Sequence, residues 1–139
     1  GIIHRLPKVN HPVYYGGPVL TNVVGVLHST DFVLSSTNTL IEDDVGFTLD
    51  RKMLEVIARG EGPKNMMITL GLANWSTGQL EEEIEHPRNP AMSWLVMDYD
   101  EKFVFGQLEE DKPDDLWESC VSQAIRAKTR EITSKVFKD

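Results

Sequence analysis

Residues Asn65 to Leu72 form an apolar run with one threonine, preceded by Pro63 and interrupted by Gly71, and an acidic helical pattern follows almost at once. The run is too short for a typical helix, and it reads as a strand buried on both faces at the centre of a sheet. Gly71-Leu-Ala-Asn-Trp75-Ser-Thr-Gly78 then turns the chain. Beyond it, Leu80 and Ile84 stand at i, i+4 on one side of a helix, with Glu81, Glu82, Glu83 and Glu85 around the rest. Thr77 is the expected cap, with Glu81 available to complete a capping arrangement, and acids in a first turn suit the helix dipole. A buried strand feeding an amphipathic helix requires both kinds of secondary structure in one fold.

The rest of the chain can be read in the same way. Val13-Tyr14-Tyr15 predicts a strand ending in a tight loop at Gly16-Gly17-Pro18, because glycine permits positive φ and proline cannot donate to a ladder. Val23 to Leu27 surrounds Gly25, the pattern of a buried strand with a bulge or a close backbone approach. Thr39-Leu40-Ile41 is a third strand candidate. Asp50 can cap a helix with Met53, Leu54, Ile57 and Ala58 on one face, ended by Gly60 and Gly62-Pro63. Trp94–Met97 and Lys102–Phe105 flank Asp98-Tyr-Asp-Glu in the manner of a β-hairpin. Pro113 and Asp114 open a last helix with Leu116, Trp117, Cys120, Val121, Ala124 and Ile125 on a buried stripe, fading into a charged tail beyond Ala127.

A chain of 139 residues is the size of one ordinary domain with one core. Its net charge of −8 is concentrated at Glu81 to Glu85, Asp98 to Glu101 and Glu109 to Asp115, a surface that repels phosphate backbones. The one basic stripe, Arg126, Lys128, Arg130, Lys135 and Lys138, is interrupted by Glu131 and closed by Asp139, so direct nucleic-acid binding is not expected. Cys120 is the only cysteine, and no closely spaced Cys or His pair suggests a structural metal; neither a metal nor a cofactor is expected. No apolar run approaches the roughly 20 residues of a membrane helix, and the start lacks the order of a signal peptide, which predicts a cytoplasmic protein with no membrane partner. A chain that begins on Gly1 suggests that an N-terminal portion lies outside this sequence.

Taken with Tyr15-Gly16-Gly17-Pro18, Gly25, Leu27-His28-Ser29, Gly60, Pro63 and Ser93-Trp94-Leu95, the Gly71–Glu83 stretch resembles the AlgH/YqgE family of small bacterial proteins. Those proteins are named as transcriptional regulators without an agreed biochemical activity. The likeness runs from about Pro12 to Phe105 and contains no catalytic signature. It implies an α+β fold, with a largely antiparallel, strongly bent sheet surrounded by helices, in a single domain over residues 1–139. The chain departs from the family pattern in lacking N-terminal family residues, in a short Arg5 to His11 segment, in a long His86 to Met92 link and in its C-terminal tail.

Trp75, Gln79, Glu81 and Glu83 lie across the strand-to-helix turn, where helix N–H groups and a flat indole can receive a small anionic or aromatic ligand, with Gly71 and Gly78 leaving room for close approach. Against this, Trp75 can be a core plug and the glutamates a solvated face. His28, at the end of an apolar strand, has the chemistry of a general base, although a histidine beside a turn serine more often satisfies loop backbone groups. Glu81 and Glu85 share a helix face, but like charges at that spacing need no metal to explain them. Gly16-Gly17-Pro18 lacks the glycine spacing and lysine of a phosphate loop, and Cys120 has no cation beside it to activate it. The function that follows is a non-enzymatic binding or indirect regulatory module with an unknown protein partner or small ligand. The alternative is a small hydrolase using His28 with Glu81 or Glu83.

Overall fold

A computed structural model of the chain describes residues 2–6, 11–40, 42–106 and 113–136. In chain order they form β1 (Ile2–Leu6), β2 (His11–Tyr15), β3 (Val19–Ser29), β4 (Asn38–Leu40), β5 (Val45–Thr48), α1 (Arg51–Ala58), β6 (Met66–Leu72), α2 (Gln79–Glu85), a 3₁₀ turn (Pro90–Met92), α3 (Glu101–Phe105) and α4 (Pro113–Val136). Two compact units result, Gly1–Asn74 with Glu101–Asp111 and Trp75–Asp100 with Lys112–Asp139.

The first unit holds a six-stranded sheet in the order β1-β2-β6-β3-β5-β4. Only β2 and β6 run parallel; every other neighbouring pair is antiparallel. The α+β class and largely antiparallel sheet implied by the resemblance are therefore present. The Asn65–Leu72 run supplies β6, one of the two central strands. Of its apolar side chains only Ile68 is buried, the others being half-buried, so the expectation of burial on both faces holds at one position.

Val13, Val26, Met53, Ile57 and Ile68 form the core, with Val24, Phe32, Leu34, Leu54, Met66 and Leu70 packed against it. Full burial of such a side chain stabilises the fold by about 1.5–3 kcal/mol. The helix contribution comes from α1, whose N-cap Asp50 accepts a hydrogen bond from Lys52 N–H at 2.9 Å. That bond, and a second from Ser36, hold the Asp50 carboxyl below the usual carboxylate range.

The Gly16-Gly17 and Gly71 motifs meet where β2 and β6 end. Gly16 N–H donates to Leu70 O at 2.8 Å. A Cβ on Gly16 would lie 2.1 Å from Gly71 O, and one on Gly71, where φ is +78°, would lie 2.3 Å from Gly17 O. The two motifs are thus a backbone crossing that admits no side chain. Space at Gly71 is taken by this chain and not kept for a ligand.

Several expectations are corrected. The irregularity of β3 falls between Val19 and Val24, where Leu20 has φ +49°, and the close neighbour of Gly25 is the Phe47 ring and not a backbone. Residues 93–100 carry no strand, and 101–105 are helical, so there is no hairpin. Asp98-Tyr-Asp-Glu lacks the Asn-Gly or Asp-Gly type of turn that closes a two-residue hairpin, and an acid at Glu101 favours a helix start. Thr77 is not the cap of α2: Gly78 (φ +80°) holds that position without a side-chain bond. Ser76 N–H instead donates to Gln79 Oε1 at 3.1 Å, half of a capping box one register earlier. The last helix continues to Val136, assisted by Lys135 donating to Glu131 at 3.1 Å, and its stripe is open: Trp117 is 59% and Ile125 60% exposed. The Leu116 side chain, Ile41 and Lys138 lie outside the described residues. Sequence reading missed β1 and β5, the latter a four-residue strand with a central glycine.

Candidate functional site

Within the second unit, Trp75 and Trp94 meet edge to face, with ring centroids 5.8 Å apart and planes at 67°. Such a pair contributes about 0.5–1.5 kcal/mol beyond its buried area. Both indoles donate to one carboxylate oxygen, Glu83 Oε2, from Trp75 Nε1 at 3.4 Å and from Trp94 Nε1 at 3.2 Å. Gln79 Nε2 donates to the other oxygen at 3.4 Å. Gln79 Oε1 in turn accepts from both the backbone and the hydroxyl of Ser76. The turn before α2, the first face of α2 and Trp94 are therefore tied together by a half-buried carboxylate.

Beside this cluster is an open cleft of about 520 Å³ lined by Gln79, Glu82, Glu83, His86, Pro87, Arg88, Asn89, Met92 and Trp94. Glu82 faces His86 Nδ1 at 3.7 Å. Asn89 caps the 3₁₀ turn by accepting from Ala91 N–H, and Ser93 donates to Pro90 O at 2.8 Å, which fixes the segment leading to Trp94. The cleft so combines an aromatic wall, apolar surface from Met92 and Pro87, and Arg88 as its permanent cation among the described lining residues.

The structure brings Trp75, Gln79 and Glu83 together as the sequence suggested. Glu81 is exposed and does not line the cleft. His28 belongs to the sheet unit, 0% exposed, on β3 opposite Gly46 of β5. Its Nδ1 lies 2.8 Å from Ser29 O, and a carbonyl can only accept, so Nδ1 carries a proton. In the neutral ring Nε2 then accepts from Thr48 Oγ1 at 2.9 Å, Thr37 donates to Thr48, and Leu34 N–H donates to Thr37. Gly46 makes room for the ring, since a Cβ there would stand 2.5 Å from His28 Cε1. Both ring nitrogens are spent within the core, which removes the physical support for His28 as a general base with Glu81 or Glu83.

The neighbouring Ser29 and Asp31 are also structural. Asp31 accepts from the Ser29 hydroxyl and from Lys64 N–H at 3.0 Å, and the Ser29 hydroxyl accepts from Asn65 N–H at 3.1 Å. The Ser29 bond is the main cause of an Asp31 pKa below the ordinary range. Burial raises the Cys120 thiol, which makes it a poor nucleophile. Among the described residues no group of three or more His, Cys, Asp or Glu side chains is placed to hold a metal. Sequence reasoning missed Trp94, Met92, Arg88 and His86 as parts of the site. Ser93-Trp94-Leu95 carried the signal, as a second tryptophan following an acidic helix.

A largely antiparallel α+β sheet whose glycine motifs build a backbone crossing, followed by a tryptophan-rich turn and helix, defines an AlgH-like protein. The AlgH-like family pattern matches residues 2–127, and the chain belongs to that family. It is 42% identical over 102 residues to a UPF0301 protein of Bradyrhizobium sp. strain BTAi1, covering 73% of this chain and 45% of the relative. It is also 42% identical over 106 residues to UPF0301 protein RSc0675 of Ralstonia nicotianae, covering 76% and 53%. The chain spans about half the length of these curated relatives. The solution structure of AlgH from Pseudomonas aeruginosa superposes with a TM-score of 0.63 at 28% identity, covering 85% of this chain and 57% of that one. No helix among the described residues is long and apolar enough to cross a membrane.

Proposed function

We propose that this AlgH-like chain is a non-enzymatic binding module of the cytoplasm with an indirect regulatory role, acting through a protein partner or small ligand held at the Trp94–Glu83 cleft. The observation that carries this reading is the convergence of two indole N–H groups on the Glu83 carboxylate. It fixes an aromatic wall at an open cleft, while three N–H donors occupy the carboxylate that would otherwise repel an anion. A planar or apolar group packs against Trp94, Met92 and Pro87, and an anionic substituent meets Arg88. Contact with nucleic acid is not part of the role, because the net charge of −8 opposes phosphate binding.

Indole-3-acetate, which carries both a ring and a carboxylate, is a direct probe. Titration followed by the amide and indole N–H resonances is expected to move the Trp94 Nε1–H signal saturably. Trp94→Ala should abolish the effect on the remaining cleft signals and Arg88→Ala should weaken it. Absence of saturable shifts, or shifts unchanged by Trp94→Ala, contradicts the reading. Turnover of a defined substrate that is lost on Glu83→Gln would replace it with an enzymatic one.

A further inference from the structure

Two opposite charges line the Trp94 cleft without pairing with each other. Arg88 is exposed, and among the described residues no carboxylate pairs with it. The two acids of the lining, Glu82 and Glu83, differ in what they leave open to a ligand. Glu83 already accepts from three N–H donors, on Trp75, Trp94 and Gln79. The Glu82 side chain is 73% exposed and faces His86 Nδ1 at 3.7 Å, too long for a hydrogen bond, on a ring that carries charge only when protonated. A ligand with only a negative charge gains Arg88 but brings that charge beside Glu82. One with only a positive charge gains Glu82 but meets Arg88. A ligand with both charges uses both groups while its ring packs on Trp94. The cleft volume of about 520 Å³ lies within the range of small-molecule sites, roughly 300–1,000 Å³.

Resting on the reading of this cleft as a binding site, we propose that its ligand is a zwitterion bearing an aromatic ring, either a free aromatic amino acid or a short peptide that begins with one. The ligand ammonium group lies against the Glu82 carboxylate and the ligand carboxylate against Arg88. Glu82 is then the residue that selects for an amine. Glu83, its oxygens taken by N–H donors, holds the aromatic wall in place and does not select charge.

Titration of the isotope-labelled whole chain at low salt, followed at the Trp94 Nε1–H resonance, tests this with tryptophan, tryptophyl-glycine, indole-3-propionate, which lacks the ammonium group, and tryptamine, which lacks the carboxylate. Because Glu82 and Arg88 are solvent-exposed, the better zwitterion should bind about threefold or more tightly than each singly charged probe, and added salt should erode the difference. Glu82→Gln should remove the advantage over indole-3-propionate and keep that over tryptamine, and Arg88→Ala should do the reverse. A larger advantage for tryptophan assigns the cleft to free amino acids, and a larger one for the dipeptide assigns it to a peptide N-terminus. Either singly charged probe binding as tightly as both zwitterions, or an advantage that survives the substitution chosen to remove it, would overturn the proposal and leave the cleft a binding site. Saturable shifts from none of the probes would remove the proposal together with the reading on which it rests.

Discussion

The sheet unit and the helical unit of this chain use their apolar and polar residues in opposite ways. In the sheet unit Met53, Ile68, His28, Val26 and Thr48 are almost completely buried, and even the histidine has a partner for each ring nitrogen. In the helical unit no described residue is buried to that degree, and all three tryptophans of the chain, Trp75, Trp94 and Trp117, belong to it. Family-like motifs therefore serve two purposes. Tyr15-Gly16-Gly17-Pro18, Gly71 and His28-Ser29 build a core, whereas Trp75 to Glu83 and Ser93-Trp94-Leu95 build a surface. A histidine in the first group attracts a catalytic reading from sequence, yet its chemistry is consumed by packing.

Substitutions that break this division should do so unequally. Gly71→Val is expected to cost more than about 4 kcal/mol, since it forces a branched side chain onto Gly17 O at positive φ; urea denaturation followed by far-UV circular dichroism checks this. Met53→Ala, at a 0% exposed position, should cost about 3 kcal/mol in the same assay. Thr48→Val removes the hydroxyl between Thr37 and His28, leaving Nε2 buried without its partner, at about 2 kcal/mol. In the helical unit Trp94→Ala should cost about 1.5 kcal/mol, from the lost edge-to-face pair with Trp75 and the lost hydrogen bond to Glu83, while abolishing the cleft's response to ligand and leaving no core cavity. The smallest effect concerns acid. Asp31 is held below its ordinary pKa in the folded chain, so its stabilising contribution is present above the carboxylate range and is lost as pH falls through the lowered value. An acid titration of stability should show this component in wild type and not in Asp31→Asn.

Much of the sheet unit was legible in the sequence because its constraints are local. Asp50 capping α1, the glycine stop after Tyr15 and the apolar run of β6 each depend on residues close along the chain. The short β5 was not, since Val45-Gly-Phe-Thr48 gains its identity from pairing with β3. The helical unit was read less well for a related reason. Trp94–Met97 suggested a hairpin strand and the α4 stripe suggested burial, but strand pairing and burial both depend on a facing element, and among the described residues Trp117, Ile125 and Val96 remain open. Trp75, Gln79 and Glu83 could be grouped by spacing along one turn and helix. Trp94 joins them only through the fold, 11 residues from the glutamate it donates to.

Native-state hydrogen exchange of the whole chain puts the contrast between the units to the most direct test. Amides of β3, β6 and α1 should be the slowest to exchange, opening only with global unfolding, while those of α2 and residues 93–100 should exchange at least about a hundredfold faster, the expectation for exposed segments with few buried contacts. Uniform protection across both sets would contradict the account, because the Trp75–Trp94 surface would then belong to the same cooperative core as His28.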